Sequence, residues 1–177
     1  MANPEIATRP GRAAAIAAAL TRVTRAVAIA AAAMALLLPL PVAWEVLMDG
    51  LGTPPTWVFE TTGYAIILLA FAASGYGLET GHHFRVSLLA DRVPRLELPL
   101  ARLSGALELG FGLVLLIAGC NQVWTDWVQD LRSDSLLSVP QYLPQLAFPI
   151  GGLVIGLQGL AHLLVPPVAR KRDAHRR

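Results

Sequence analysis

The chain has 177 residues, of which 55% are hydrophobic and 15% charged, and its formal net charge is +2. A soluble domain carries about 25% charged residues, and here the charges cluster at the chain ends and in short connections. This composition excludes an ordinary soluble domain and predicts an integral membrane protein with about four crossings. The basic residues flank apolar segments, so membrane topology explains them better than nucleic-acid binding does. Cys120 is the single cysteine, which excludes an intrachain disulfide, a CxxC redox pair and a thiolate metal cage.

The first 25 residues are polar, basic and rich in alanine, and we expect a cytoplasmic tail. Residues 13–20 favour helix because alanine is the best helix former, either as a frayed turn or as a surface helix. The apolar run from 26 to 48 is too long for the core of a cleaved signal peptide and predicts a first span. Pro39 and Pro41 predict a kink in it.

The second predicted span covers residues 57–78 and follows a short turn rich in glycine and proline. Residues 82–93 then alternate apolar and charged side chains, a composition typical of a helix that lies in the membrane surface. This predicts an amphipathic interfacial helix between the second and third spans.

The third and fourth spans are predicted at about 101–124 and 143–165, and each carries a stripe of glycines. Small residues let helix backbones approach closely in lipid, so each stripe is predicted to face another helix. The third-span stripe has a spacing of seven residues, with Glu108 on the same side, and the fourth-span stripe has spacings of four and three. The two stripes are Gly105, Gly112 and Gly119, and Gly152, Gly156 and Gly159.

The predicted fold is therefore an all-α integral membrane protein with four transmembrane helices and the interfacial helix. Residues 26–165 form the membrane domain, between a basic N-terminal tail of residues 1–25 and a basic C-terminal tail of residues 166–177.

The distribution of charge predicts the orientation. Thirteen of the fourteen lysines and arginines flank the spans on one side, which the positive-inside rule makes cytoplasmic. Both termini and the interfacial helix then lie on the cytoplasmic side of a bacterial inner membrane. The tryptophans and Tyr142 mark the opposite interface, where aromatic side chains anchor at the headgroups. They are Trp44, Trp57, Trp124, Trp127 and Tyr142.

Few residues suggest chemistry, and no cofactor or metal is expected. His82 and His83 are adjacent, so on a helix they point about 100° apart and do not share one metal. Glu108 lies about 10 Å inside the third span, where acids are rare. Three interpretations remain open for it: a hydrogen bond to Gln158 or His162 or a protonated state, a contact with a partner, or a proton or ion relay.

Several motifs occur in a fixed order along the chain. The second span opens with Trp57 and Glu60, and Pro140 lies in the connection before the last span. The interfacial stretch has a glycine, histidine, basic and valine series that closes on a proline: Gly81, His83, Arg85, Val86 and Pro94. The last span opens with a proline-hydrophobic-glycine step and carries a glutamine: Pro149, Gly151 and Gln158.

In this order the motifs resemble the small membrane subunit, of the DctQ type, of tripartite ATP-independent periplasmic (TRAP) transporters, over about residues 26–165. The chain departs from that family at Ser87, where an acid is usual, and at Glu79, where a basic residue is more common. The resemblance implies a non-catalytic scaffold for a large membrane subunit that imports an organic anion with sodium. A periplasmic binding protein would deliver that anion, which is often a carboxylate.

Two other functions compete with this interpretation. A b-type cytochrome needs axial haem ligands that face one another across a bundle, and only His162 lies inside a span. A stand-alone small transporter needs a binding site within the membrane, and the spans do not carry an obvious set of polar residues for one.

Overall fold

The computed structural model describes residues 11–80, 97–135 and 137–166, and in these residues the regular structure is helical. Four helical segments are long and apolar enough to cross a membrane. The all-helical class with four helices able to cross a membrane is therefore confirmed, whereas the predicted interfacial helix at 82–93 lies outside the described residues. The helices are α1 (Arg12–Leu37), α2 (Pro39–Gly50), α3 (Trp57–Thr80), α4 (Glu97–Val128), α5 (Tyr142–Gln145) and α6 (Ala147–Leu164).

The first helical segment is longer than predicted. It begins at Arg12 rather than near residue 26, and with α2 it forms one segment of 39 residues, Arg12–Gly50. The alanine-rich stretch favours helix throughout. Thr21 and Thr24, predicted to be in the tail, are buried against the rest of the bundle.

The irregularity predicted at the prolines is present at Leu38, between α1 and α2. Pro39 has no N–H with which to reach the carbonyl of Ala35. The N–H of Leu38 bonds to that carbonyl instead, at 3.2 Å, in the tighter i to i−3 pattern. The helix is thus interrupted where the first proline removes a donor.

Helix α6 lies at the centre of the bundle and packs against α4, α3 and α1. Its most extensive contact is with α4, and the glycine stripes form that contact as predicted. A Cβ added at Gly112 would lie 2.6 Å from Gly156 Cα, and one added at Gly159 would lie 2.5 Å from the backbone nitrogen of Leu109. The two backbones therefore touch along this seam, as small residues allow.

The other side of α6 packs against α3 and α1. A Cβ added at Gly151 would lie 2.9 Å from Phe71 Cγ, and Phe71 also packs edge-on against Phe148 with ring centroids 5.3 Å apart. Small residues here, as at the α4 seam, bring helices close. Between α1 and α3 a small apolar cluster forms from Ala31, Leu69 and Ala72.

The bundle has two distinguishable ends. One, which we call the tryptophan end, holds the α2–α3 turn and the connection from α4 to α5, with Trp44, Trp57, Trp124 and Trp127. Trp127 packs edge-on against Tyr142 there, with ring centroids 4.9 Å apart. The four tryptophans lie at one end of the bundle, which agrees with successive helices that cross the membrane in alternating directions.

Candidate functional site

A chain of hydrogen bonds joins three helices in the half of the bundle remote from the tryptophan end. His162 Nδ1 lies 2.7 Å from Glu108 Oε2, which links α6 to α4. His162 Nε2 lies 3.0 Å from Gln158 Nε2, one turn earlier on α6. Thr24 donates to Gln158 Oε1 at 3.0 Å, which extends the chain to α1. We call these four residues and Ser104, which donates to Glu108 at 3.1 Å, the polar network.

One arrangement of protons satisfies the network. The amide N–H of Gln158 donates to His162 Nε2, so Nδ1 carries the imidazole proton and donates to the Glu108 carboxylate. Thr24 and Gln158 are fully buried and His162 is nearly so. Buried polar groups are costly unless paired, and here each has a partner within the bundle. Of the interpretations open for Glu108, the structure shows the hydrogen bond to His162.

A second polar cluster holds the α4–α5 connection at the tryptophan end. The hydroxyls of Ser133 and Ser135 each lie 2.8 Å from Glu60 Oε1 and donate to it, and the Tyr64 hydroxyl donates to the same oxygen. The connection doubles back on itself through a bridge between Arg132 and Pro140. Glu60, a predicted site residue, therefore anchors this connection to α3.

Asp126 lies two residues beyond the predicted end of the third span, where the sequence indicates a polar connection. Helix α4 continues to Val128, and the Asp126 side chain is fully buried. Gln122 donates to Asp126 Oδ1 at 2.9 Å, while Oδ2 has no hydrogen-bond partner among the described residues. The signal was in the sequence, because Asp126 follows Gly119 by seven residues and continues the glycine stripe.

Glu79 also has a partner that the sequence reading missed. It forms an ion pair with Arg25 of α1 at 3.8 Å, and the Arg25 guanidinium lies over the Tyr76 ring, 5.9 Å from its centroid. Arg25 is largely exposed, so the pair contributes little to stability. Arg25 directly follows Thr24 of the polar network, so the ion pair lies at the same end of the bundle as the network.

The remaining predicted site residues fall into three groups. Trp57 is exposed at the start of α3, and Pro140 is part of the bridge in the connection. The interfacial series lies outside the described residues: Gly81, His83, Arg85, Val86 and Pro94. The others lie in the contacts of α6 with α4 and α3: Gly105, Gly112, Pro149, Gly151 and Gly156.

No group of three or more histidine, cysteine, aspartate or glutamate side chains in the described part of the chain is placed to hold a metal ion. The two polar clusters instead bond helices and a connection of the same chain.

Four helical segments suited to crossing a membrane, three of them packed around the fourth, define a polytopic α-helical membrane protein. The family model described as "Tripartite ATP-independent periplasmic transporters, DctQ component" matches residues 38–166, well over half of the chain. The chain therefore belongs to the DctQ family, the small membrane subunits of TRAP transporters. Comparison with curated proteins and with solved structures gives no significant match.

Proposed function

We propose that the chain is a non-catalytic scaffold that holds the large membrane subunit of a TRAP transporter in the bilayer. The large subunit would carry out sodium-coupled import of an organic anion of the carboxylate class, delivered by a periplasmic binding protein. Family membership supports the transporter component, and the arrangement of the bundle supports the scaffold role.

The observation that carries the scaffold role is how polar and apolar surfaces are distributed. Helix α6 belongs to the most buried of the four helical segments, whereas α4 exposes an apolar face that includes Leu107, Phe111, Val114 and Ile117. The side chains of the polar network form hydrogen bonds with one another, and these bonds join α1, α4 and α6. Such a bundle offers apolar faces to lipid and to a partner, and its buried polar groups fix its own helices.

The two alternative functions receive less support. A haem ligand needs a free imidazole nitrogen, and both ring nitrogens of His162 are engaged by Gln158 and Glu108. A stand-alone transporter would place unpaired polar groups around a cavity at mid-membrane. Glu108 instead bonds to His162 and Ser104.

The amphipathic sequence of residues 82–93 suits a helix that holds the partner level in the membrane. Lifting an interfacial helix exposes apolar side chains to water at about 1.5–3 kcal/mol each. Pushing it into lipid buries charges at about 2.5–3.5 kcal/mol each. A helix held level in this way would brace a partner that moves across the membrane. Replacing Val86, Leu88 and Leu89 together with serine should weaken the bracing while four spans remain inserted.

The test is co-purification in a gentle detergent. The tagged chain is expressed with the large TRAP subunit, and the eluate is examined for the large subunit by mass spectrometry. We expect the two chains to elute together. Elution of the chain alone, folded and with its helices intact, would contradict the proposed function.

A further inference from the structure

A groove of about 660 Å³ lies between α2 and α3 at the tryptophan end of the bundle. Most of its wall is apolar, from residues such as Val42, Phe59 and Ile67. Two acids, Glu45 of α2 and Glu60 of α3, also line it, and its lining includes no basic side chain. The groove therefore combines an apolar wall with uncompensated negative charge.

Glu45 is the less satisfied of these acids. It is half-buried, and no described residue forms an ion pair or a hydrogen bond with it. In Glu60, the three hydroxyl donors all reach Oε1, and no described residue donates to Oε2. An acid in apolar surroundings is costly unless a cation or donors pair with it. The groove thus has two carboxylates able to accept a positive group.

Gly63 lies in the same groove and supplies an independent observation. Glycine weakens a helix relative to alanine, so a glycine inside a helix usually serves close packing. The glycines at the α4–α6 seam do so, whereas a Cβ added at Gly63 would meet no atom within 4 Å. The space over Gly63 is open, and it suits the close approach of a helix from outside the chain.

We propose that this groove receives a transmembrane helix of the large subunit, which places an arginine or lysine side chain between Glu45 and Glu60. The identity of the partner rests on the proposed function. The charge of the groove favours this occupant over a phospholipid, because every phospholipid brings a phosphate and no basic side chain lines the groove to receive it. A basic side chain on an apolar helix matches both the acids and the apolar wall.

Assembly gives the first test. Glu45→Gln keeps the shape of the side chain and removes a charge that bonds to nothing in the described chain, so folding should be unaffected. We expect it to lower the yield of co-purified large subunit at least tenfold, because the loss of one member of a desolvated charge pair weakens binding by more than about tenfold. The matched control is Asp49→Asn, an exposed acid one turn further along α2 that does not line the groove. Its yield should equal that of the wild type.

Crosslinking gives the second test and identifies the occupant. In a Cys120→Ser background, which removes the one native cysteine, Gly63→Cys carries a benzophenone maleimide. Gly110→Cys is the control, since a Cβ at Gly110 of α4 also meets no atom within 4 Å but no groove acid borders it. After irradiation in membranes that contain the complex, we expect a large-subunit adduct from position 63 at several times the yield from position 110.

The outcomes separate this proposal from the function on which it rests. If the wild-type chain does not co-purify with the large subunit, the proposed function fails and the docking proposal fails with it. If the wild type co-purifies and Glu45→Gln does so equally well, the docking proposal alone is contradicted. Adducts from position 63 with lipid only, or with a second copy of this chain, would also contradict it.

Discussion

Thr24 of α1 donates a 3.0 Å hydrogen bond to Gln158 of α6, and both side chains are fully buried. The two residues are 134 positions apart, so the bond closes the bundle between its first and last long helices. Thr24 also precedes the part of the chain that the family model matches, which begins at residue 38. The first helix is therefore an integral part of the packed structure.

Replacing Gln158 with leucine should destabilise the bundle. The substitution removes the donor to His162 Nε2 and leaves that buried nitrogen unpaired, whereas Thr24 keeps the Thr21 carbonyl, at 3.1 Å, as an acceptor. An unsatisfied buried group costs about 1–3 kcal/mol, so the midpoint of thermal unfolding in detergent should fall clearly. Gln129→Leu, at an exposed position beyond α4, is the control and should leave the midpoint nearly unchanged. Equal midpoints for both variants would show that the network does not stabilise the fold.

Glu108 should need its hydrogen-bonding oxygen more than its charge. In Glu108→Gln the amide oxygen can still accept from His162 Nδ1–H, so we expect folding, assembly and transport close to those of the wild type. Glu108→Leu leaves that donor unpaired and should lower the free energy of unfolding by about 1–3 kcal/mol. Unfolding and uptake are measured on both variants. Loss of uptake in Glu108→Gln with normal assembly would instead assign a functional role to the charge.

Alanine substitutions at two glycines of α4, one at the seam with α6 and one away from it, should change stability in opposite directions. A Cβ at Gly112 would lie 2.8 Å from the carbonyl oxygen of Gly152, which is backbone and cannot turn aside. Gly112→Ala should therefore cost about 1–3 kcal/mol through overpacking. Gly110→Ala meets open space and should stabilise the helix by up to about 1 kcal/mol. The measurement is the midpoint of thermal unfolding of both variants. If Gly112→Ala unfolded at the same temperature as Gly110→Ala, the close contact at Gly112 would be contradicted.

Sequence alone predicted the parts of the fold that depend on regular spacing. The stripes headed by Gly105 and Gly152 indicated the faces on which the last two long helices pack against other helices, because helical periodicity fixes which side chains share a face. It also indicated His162 or Gln158 as a hydrogen-bond partner for Glu108, since all three lie at similar depth.

Sequence alone failed where a residue's environment depends on tertiary contacts. The start of α1 was placed near residue 26 because arginines and threonines at 21–25 read as a polar tail. Their burial depends on α6 lying alongside, which composition does not reveal. Asp126 was assigned to a connection for the same reason: hydropathy ends a span at the first acids, whereas the helix and its packed face continue past them.

Topology is predicted from charge and can be tested by labelling. With thirteen of fourteen basic residues on one side of the spans, both termini should be cytoplasmic. In a Cys120→Ser background, a membrane-impermeant maleimide applied to intact spheroplasts should label Thr53→Cys and Asp134→Cys. It should label Arg92→Cys and Arg172→Cys only after permeabilisation. Labelling of Arg92→Cys in intact spheroplasts would reverse the predicted orientation.

The central claim is that this chain supports transport without performing it, and uptake by reconstituted vesicles tests that claim most directly. Vesicles contain the large subunit alone, this chain alone, or both, with an inward sodium gradient. The binding protein, loaded with its own radiolabelled ligand, is added outside. We predict sodium-dependent uptake only when both membrane subunits are present. Full uptake by the large subunit alone, or any sodium-dependent uptake by this chain alone, would contradict the account.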